Sequence, residues 1–406
     1  MAALILYEQI YEMLEQHLDP KVPQATRERL AFLVLGLLHG KEISPARLAH
    51  ALATLGLNQA SPESWERRIR RCENDPYLTT TLCLHPLIQH YLAIGAPNPL
   101  LLILDPTTKN DAITLVAITI PYRGRSLPLA WMTWPGNQPL EGEGMWERIK
   151  TLLQEIAPLL PKGVEVVMLA DGAFGCPCFI DRVRELGWHV LVRAQGQTHC
   201  RDRQGVERQI GSLVWRVGQR AKGRYEVFKK EGWRPLSVFV FGRLRRGKDG
   251  EKRLEALCLV SDLPAKMAVA HLYTKRYQIE SGFRDYKSHG WQWESSQVSD
   301  LAHWKRLLLV MALGSWIVLM AGTQVAAEAL DKARQSCRLW PPYESKYSLF
   351  RLGLELLDRL IVTWRNLPMQ WQLCDWDAPV WKKQITGASL HKYLFSDCPK
   401  RPRTDR

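Results

Sequence analysis

The chain has 406 residues, more than one ordinary core needs, which points to two to four structural units. A 46% apolar share with 24% charged residues excludes an extended disordered protein. A net charge of +14 favours a polyanionic partner, nucleic acid or an anionic membrane surface.

The charge is uneven. Residues 194–264 hold 16 basic and 8 acidic side chains, while the first 95 residues are near neutral apart from Arg67, Arg68, Arg70 and Arg71. Nine scattered cysteines include no C-x-x-C pair, so reduced thiols in a cytoplasm fit better than a disulfide framework. Cys176-Pro-Cys178, with His199 and Cys200 downstream, matches no usual zinc spacing. The apolar start runs straight into Glu8, Glu12 and Glu15, unlike a signal peptide.

Three short helical signals fill the first part. Residues 27–39 carry apolar positions at helical spacing and stop at His39-Gly40. Ser44-Pro45 opens a helix to about Leu55, and Ser61-Pro62-Glu63 opens a third to about Cys72. On the third, Trp65, Ile69 and Cys72 form an apolar stripe, with Arg67, Arg70 and Arg71 on the opposite side. The pattern suits a helix-turn-helix DNA reader, and equally a helical subdomain with a solvated arginine face. We take residues 1–95 as this unit.

From residue 98 the pattern turns to strands. Residues 99–104 form a continuous apolar run ending at Asp105, as expected of a strand buried on both faces. Residues 112–120 and 127–134 read as strands around the turn Tyr122-Arg-Gly-Arg125, followed by a helix at about 145–160. A second buried strand, Val164–Leu169, leads into Ala170-Asp171-Gly172, then a helix near 176–187 and a strand at 188–193. Three strands, helix, strand, helix, strand is the ribonuclease-H-like plan, a mixed α/β sheet with helices packed on it.

We therefore assign 96–193 to the first part of such a core. Residues 194–264 read as a basic β-rich insertion, with strands at 212–217, 224–229, 236–244 and 254–260. Residues 265–322 return to the core. The uncharged run Leu307–Gly322 is shorter than the roughly 20 residues of a membrane span and reads as a buried core helix. Residues 323–406 form a helical C-terminal region, a candidate dimer contact, ending in a frayed basic tail.

Asp105 and Asp171 each follow a buried strand, where a carboxylate sits on a rigid scaffold beside a cleft. Two magnesium ions about 3.5–4 Å apart need such oxygen ligands. Either aspartate alone reads equally as a strand-end cap. A third carboxylate comes from residues 273–287, spaced Tyr273-x2-Arg276-x3-Glu280-x6-Lys287. On one regular helix these four side chains share a sector of about 60° along a stripe about 21 Å long. Leu272, Ile279 and Phe283 would hold that helix on the sheet, and Asp285 points away from Glu280. A solvated helix with an Arg276–Glu280 ion pair is the plainer reading of the same spacing.

The order and spacing of 273–287 resemble the Tyr-Arg-Glu-Lys signature of the insertion-sequence-four group of DDE transposases. Ala170-Asp-Gly-Ala-Phe-Gly175 resembles the segment around that group's second aspartate, and the likeness extends over roughly residues 25–365. It implies a ribonuclease-H-like core with a β-rich insertion between the second aspartate and the glutamate. It further implies Asp105, Asp171 and Glu280 as a metal triad for two Mg²⁺, with Mn²⁺ as a substitute. Tyr273, Arg276 and Lys287 would grip the DNA backbone.

Relatives often carry tryptophan where this chain has Tyr277; Tyr277, Trp215 or Trp233 would be the aromatic faces for a flipped base, with core packing the plainer reading of each tryptophan. The implied partners are double-stranded DNA, both terminal inverted repeats and target, and a second copy in a homodimeric synapse; no membrane is implied, and the place of action is the cytoplasm, at the nucleoid. Three other readings compete. A haloacid-dehalogenase-type phosphatase expects a second acid where Thr107 stands. A catalytically silent DNA-binding derivative would have lost a triad acid. A nuclease on the same fold would cleave without joining.

Overall fold

The computed structural model describes residues 2–72, 74–136, 138, 143–247, 250–336, 348–363 and 369–373. Six helices come first: α1 (Ala2–His17), α2 (Gln24–Gly40), α3 (Pro45–Thr54), α4 (Pro62–Cys72), α5 (Thr80–Cys83) and α6 (His85–Gly95). The three expected from the sequence are α2, α3 and α4. The N-terminal α1 was not anticipated, yet Leu6, Ile10, Met13 and Leu14 line one buried stripe on it at helical spacing. On α4, Trp65, Ile69 and Cys72 face inward while Arg67, Arg70 and Arg71 face solvent, Arg70 pairing with Glu66 at 2.8 Å.

The core follows as β1 (Leu100–Lys109), β2 (Ile113–Tyr122), β3 (Arg125–Pro135), α7 (Glu143–Ile156), β4 (Val166–Ala170), α8 (Pro177–Glu185) and β5 (His189–Ala194). Strands β1, β2 and β3 are antiparallel neighbours, while β4 lies parallel to β1 and β5 parallel to β4. This order, 3-2-1-4-5, is the ribonuclease-H-like arrangement. One detail departs from expectation: β1 does not stop at Asp105 but runs on to Lys109. Its antiparallel partner β2 carries it, with Asp105 opposite Ala117, whereas its parallel ladder with β4 ends at Leu104–Ala170. Asp105 thus stands one step past the point where β1 and β4 part.

The insertion does not form a sheet of its own. Strands β6 (His199–Arg201), β7 (Glu207–Gln209), β8 (Arg220–Val227), β9 (Arg234–Arg246) and β10 (Lys252–Ser261) extend the core through pairing of β10 with β5. One ten-stranded sheet results, in the order β3-β2-β1-β4-β5-β10-β9-β8-β6-β7. The expected strand at 212–217 is absent; a 3-10 turn spans Ile210–Leu213 and no strand follows until β8. The apolar, β-branched residues there do not line a sheet face: Leu213 and Val214 pack inward, while Trp215 and Val217 are exposed.

Helices α9 (Met267–Leu272), α10 (Tyr277–Arg284), α11 (Leu301–Ser336) and α12 (Leu349–Thr363) complete the described chain. By length and composition α11 could cross a membrane, but its apolar window is 94% buried against α2, β3 and α12, as a core helix requires. The expected basic tail and part of the C-terminal region lie outside the described residues.

Candidate active site

Residues opposite one another in a ladder share a face of the sheet. Following the registers outward from Asp105 gives one row: Trp131 and Ala117 on one side, and on the other the position after β4, Arg193, Leu259, Phe239 and Lys222. The position after β4 is Asp171. Both aspartates and Arg193 therefore belong to one face, at the end of the parallel ladders.

Asp171 begins a 3-10 turn, Gly172–Phe174, whose first bond runs from the Phe174 amide to the Asp171 carbonyl at 2.9 Å. The turn presses onto β5: a Cβ on Gly175 would lie 2.1 Å from the Arg193 carbonyl oxygen. Only glycine allows that approach. Helix α10 lies close to β3, where a Cβ on Gly282 would meet the Ser126 side-chain Oγ at 2.4 Å. Buried Ile279 and Phe283 hold the helix down, so Glu280, one residue on, is directed into the cleft.

The segment 273–287 is helical throughout but not one regular helix. Tyr273–Arg276 is a 3-10 turn, α10 is α-helical, and Asp285–His289 is a π-turn. Tight and wide turns rotate successive side chains by different angles, so the four residues do not share the regular stripe expected of them. Tyr273 is turned inward, 3% exposed, and its hydroxyl has no hydrogen-bond partner among the described residues. Burial pushes its phenol well above the ordinary range. Asp285 is buried as well, paired with Arg125 at 2.7 Å.

A cleft of about 380 Å³ is lined by Asp105, Asp171, Arg276, Glu280, Arg284 and Lys287. Arg276, buried, donates from Nη1 to Asp105 Oδ1 at 3.2 Å and from Nη2 to Glu280 Oε1 at 2.6 Å. Asp171 has a looser partner, Arg193 Nη1 at 4.0 Å, and Arg193 is held in turn by Glu255 at 2.9 Å. Lys287 lies 3.8 Å from Glu294. Tyr273 and exposed Tyr277 line a neighbouring groove of about 320 Å³ with Arg220, Phe241 and Arg243. Trp215 is exposed elsewhere on the insertion, and Trp233 lies beneath Arg201, 4.7 Å from its ring. Arg67, Arg70 and Arg71 on α4 are outside the cleft.

Burial pushes the Asp105 carboxyl up to about 7; Arg276 counteracts, and Asp171 and Glu280 add to the rise. Three mutually repelling carboxylates with hard oxygen donors suit a divalent cation in kind. As placed, among the described residues no three His, Cys, Asp or Glu side chains stand close enough to hold one. The Arg276 guanidinium lies between two of the three. Sequence reasoning missed Arg193, Arg284 and Glu255; lone charges on a strand or helix carry no spacing signal, and only the sheet register brings Arg193 and Glu255 beside the cleft.

Residues 141–317 match the family model for the Transposase DDE domain. That span includes Asp171, Glu280 and the whole 273–287 segment, and begins after Asp105. No curated protein matches the chain. Among solved structures, a cryo-EM structure of piggyBac transposase synaptic complex with hairpin DNA is similar, with 11% identity, a TM-score of 0.46, and 89% of this chain and 77% of that chain covered.

Proposed function

We propose that this chain is a transposase of the insertion-sequence-four type, which cuts DNA at the ends of its own element and joins them to a target. The observation that carries the reading is the meeting of Asp105, Asp171 and Glu280 in one open cleft with Arg276, Arg284 and Lys287. The match of residues 141–317 to the Transposase DDE domain supports it.

In this reading Asp105, Asp171 and Glu280 would hold two Mg²⁺, or Mn²⁺ in their place. Such ions would supply activation of an attacking oxygen and stabilisation of a leaving one. The chain's own work is positioning. Lys287 and Arg284 face the phosphates beside the scissile bond, and the α10 backbone, pinned by Gly282, fixes where Glu280 reaches. Hydrolysis at the element end and attack by the freed 3′-hydroxyl are both displacements at phosphorus, so one set of side chains serves both. Exposed Arg220, Lys222 and Arg224 alternate along β8 on the face that holds the cleft, a surface for the DNA flanking it. Arg67, Arg70 and Arg71 offer a second basic face. Two ends must meet, so the working form is a homodimer on DNA, acting at the nucleoid in the cytoplasm.

The test uses the purified chain, Mg²⁺ or Mn²⁺, and a duplex carrying the inverted repeats that flank its coding region. Nicking at the repeat with a free 3′-hydroxyl, then joining to a second duplex, is the expected result. Cleavage without joining would leave a ribonuclease-H-fold nuclease. Specific binding without cleavage would leave a silent derivative.

A further inference from the structure

Arg276 stands where a cation is needed. Its two terminal nitrogens reach two different carboxylates, Asp105 at 3.2 Å and Glu280 at 2.6 Å, so one guanidinium spans the pair. A magnesium ion takes carboxylate oxygens at about 2.0–2.1 Å in near-octahedral array. An interposed guanidinium leaves no room for that. Its carbon lies 4.8 Å from the Tyr277 ring centre and 5.8 Å from that of Tyr273, so the head group is confined between rings and acids. Yet Nε, buried, has no acceptor among the described residues. A guanidinium presents Nε and one Nη as a fork that fits two oxygens of a phosphate. The present pose leaves half of that fork unused.

We infer that Arg276 is an exchangeable internal counter-ion: in the absence of DNA it holds Asp105 and Glu280 together, and a DNA phosphate draws it off, opening the pair to the divalent ion. The inference rests on the metal-triad reading above and deepens it. Metal and DNA binding are then positively coupled, and the coupling runs through one side chain. Asp171 takes little part, because Arg193 is 4.0 Å from it and is already engaged by Glu255. The arrangement would keep the free protein from loading metal and cutting indiscriminately.

The experiment measures Mn²⁺ binding by calorimetry and electron paramagnetic resonance, with and without a short mixed-sequence DNA duplex at low salt. For the unaltered chain DNA should tighten Mn²⁺ binding by about tenfold or more, within the range of ordinary coupling between sites. Arg276→Gln, with its fold checked by circular dichroism, should bind Mn²⁺ without DNA more tightly than the unaltered chain, and DNA should then change its affinity by less than about threefold. Should Arg276→Gln fail to fold, Arg276→Met reads the same coupling, since an uncharged thioether of similar length has no donor for either carboxylate. Weaker Mn²⁺ binding without DNA in these variants, or an unchanged effect of DNA, overturns the inference. Asp105→Asn separates the two levels. If it binds Mn²⁺ as the unaltered chain does, the triad itself is wrong; if it loses Mn²⁺ while Arg276→Gln fails to gain it, only the role given to Arg276 falls.

Discussion

Gly175 and Arg193 are in backbone contact: a methyl group on Gly175 would sit 2.1 Å from the Arg193 carbonyl oxygen. That contact seats the turn carrying Asp171 on β5 and sets Asp171 beside the Arg193 side chain. Gly175→Ala forces backbone apart from backbone, which no side-chain rotation can relieve. The expected loss of stability is about 3 kcal/mol, at the upper end for overpacking. Cleavage should fall by about a hundredfold in the molecules that stay folded, since small displacements of a catalytic group are costly. Urea denaturation and single-turnover cleavage check both; a stable and fully active variant would show that the turn does not set Asp171.

Asp105→Asn, Asp171→Asn and Glu280→Gln keep side-chain shape while removing the charge. Each should lower cleavage by at least about a thousandfold, as knockouts within a catalytic unit do, and leave binding to element ends within a few-fold. Gel-shift and cleavage assays on the same preparations decide. Loss of binding together with loss of the folded circular dichroism spectrum in all three would assign these acids to structure instead.

The acids were legible because burial and charge alternate sharply around them: uninterrupted apolar runs predict buried strands, and an aspartate closing such a run stands out. Asp105 nonetheless lies within β1, since β2 extends the strand in a way that residues 105–109 alone do not announce. Regular helical geometry brought Glu280, Arg276 and Lys287 to one side but could not foresee the 3-10 turn at Tyr273–Arg276, where Tyr273 is buried, or the π turn at Asp285–His289. The ion pairing of Arg276 with Glu280 was visible at i, i+4, whereas its second bond, to Asp105, depends on how α10 lies on the sheet. The attachment of the insertion through β10 and β5 is a long-range pairing, invisible to local pattern.

His85, at the start of α6, makes stability depend on pH. It is 4% exposed, and burial pushes its pKa down to about 4. Glu155 Oε1, 3.7 Å from Nε2, is beyond hydrogen-bonding reach and does not reverse the effect. The folded chain therefore keeps His85 neutral while the unfolded chain protonates it near 6.5. Its contribution is complete above that value and is lost as pH falls from about 6.5 towards 4, because the unfolded state then binds the extra proton. Between pH 7 and pH 5 this group alone should cost about 2 kcal/mol. Urea titrations at both values, on the unaltered chain and on His85→Gln, isolate it: the variant should lose less stability by that amount, and equal losses would refute the assignment.

Arg220 and Lys222 test whether the insertion carries DNA away from the cleft. Both are exposed, two residues apart on β8, and opposite Phe241 and Phe239 they share the face to which Arg193 belongs. Arg243 and Arg245, on the same face, are already engaged by Glu255, so their removal would mix lost DNA contact with a freed acid. Neutralising Arg220 and Lys222 to glutamine touches no acid of the cleft. If each meets one phosphate, the slope of log affinity against log salt should shallow by about 2, with weaker binding to all sequences alike. Cleavage of saturated complexes should stay within a few-fold of the unaltered chain, since the triad is intact. Fluorescence anisotropy across a salt series gives the slope, and an unchanged slope would remove β8 from the DNA path.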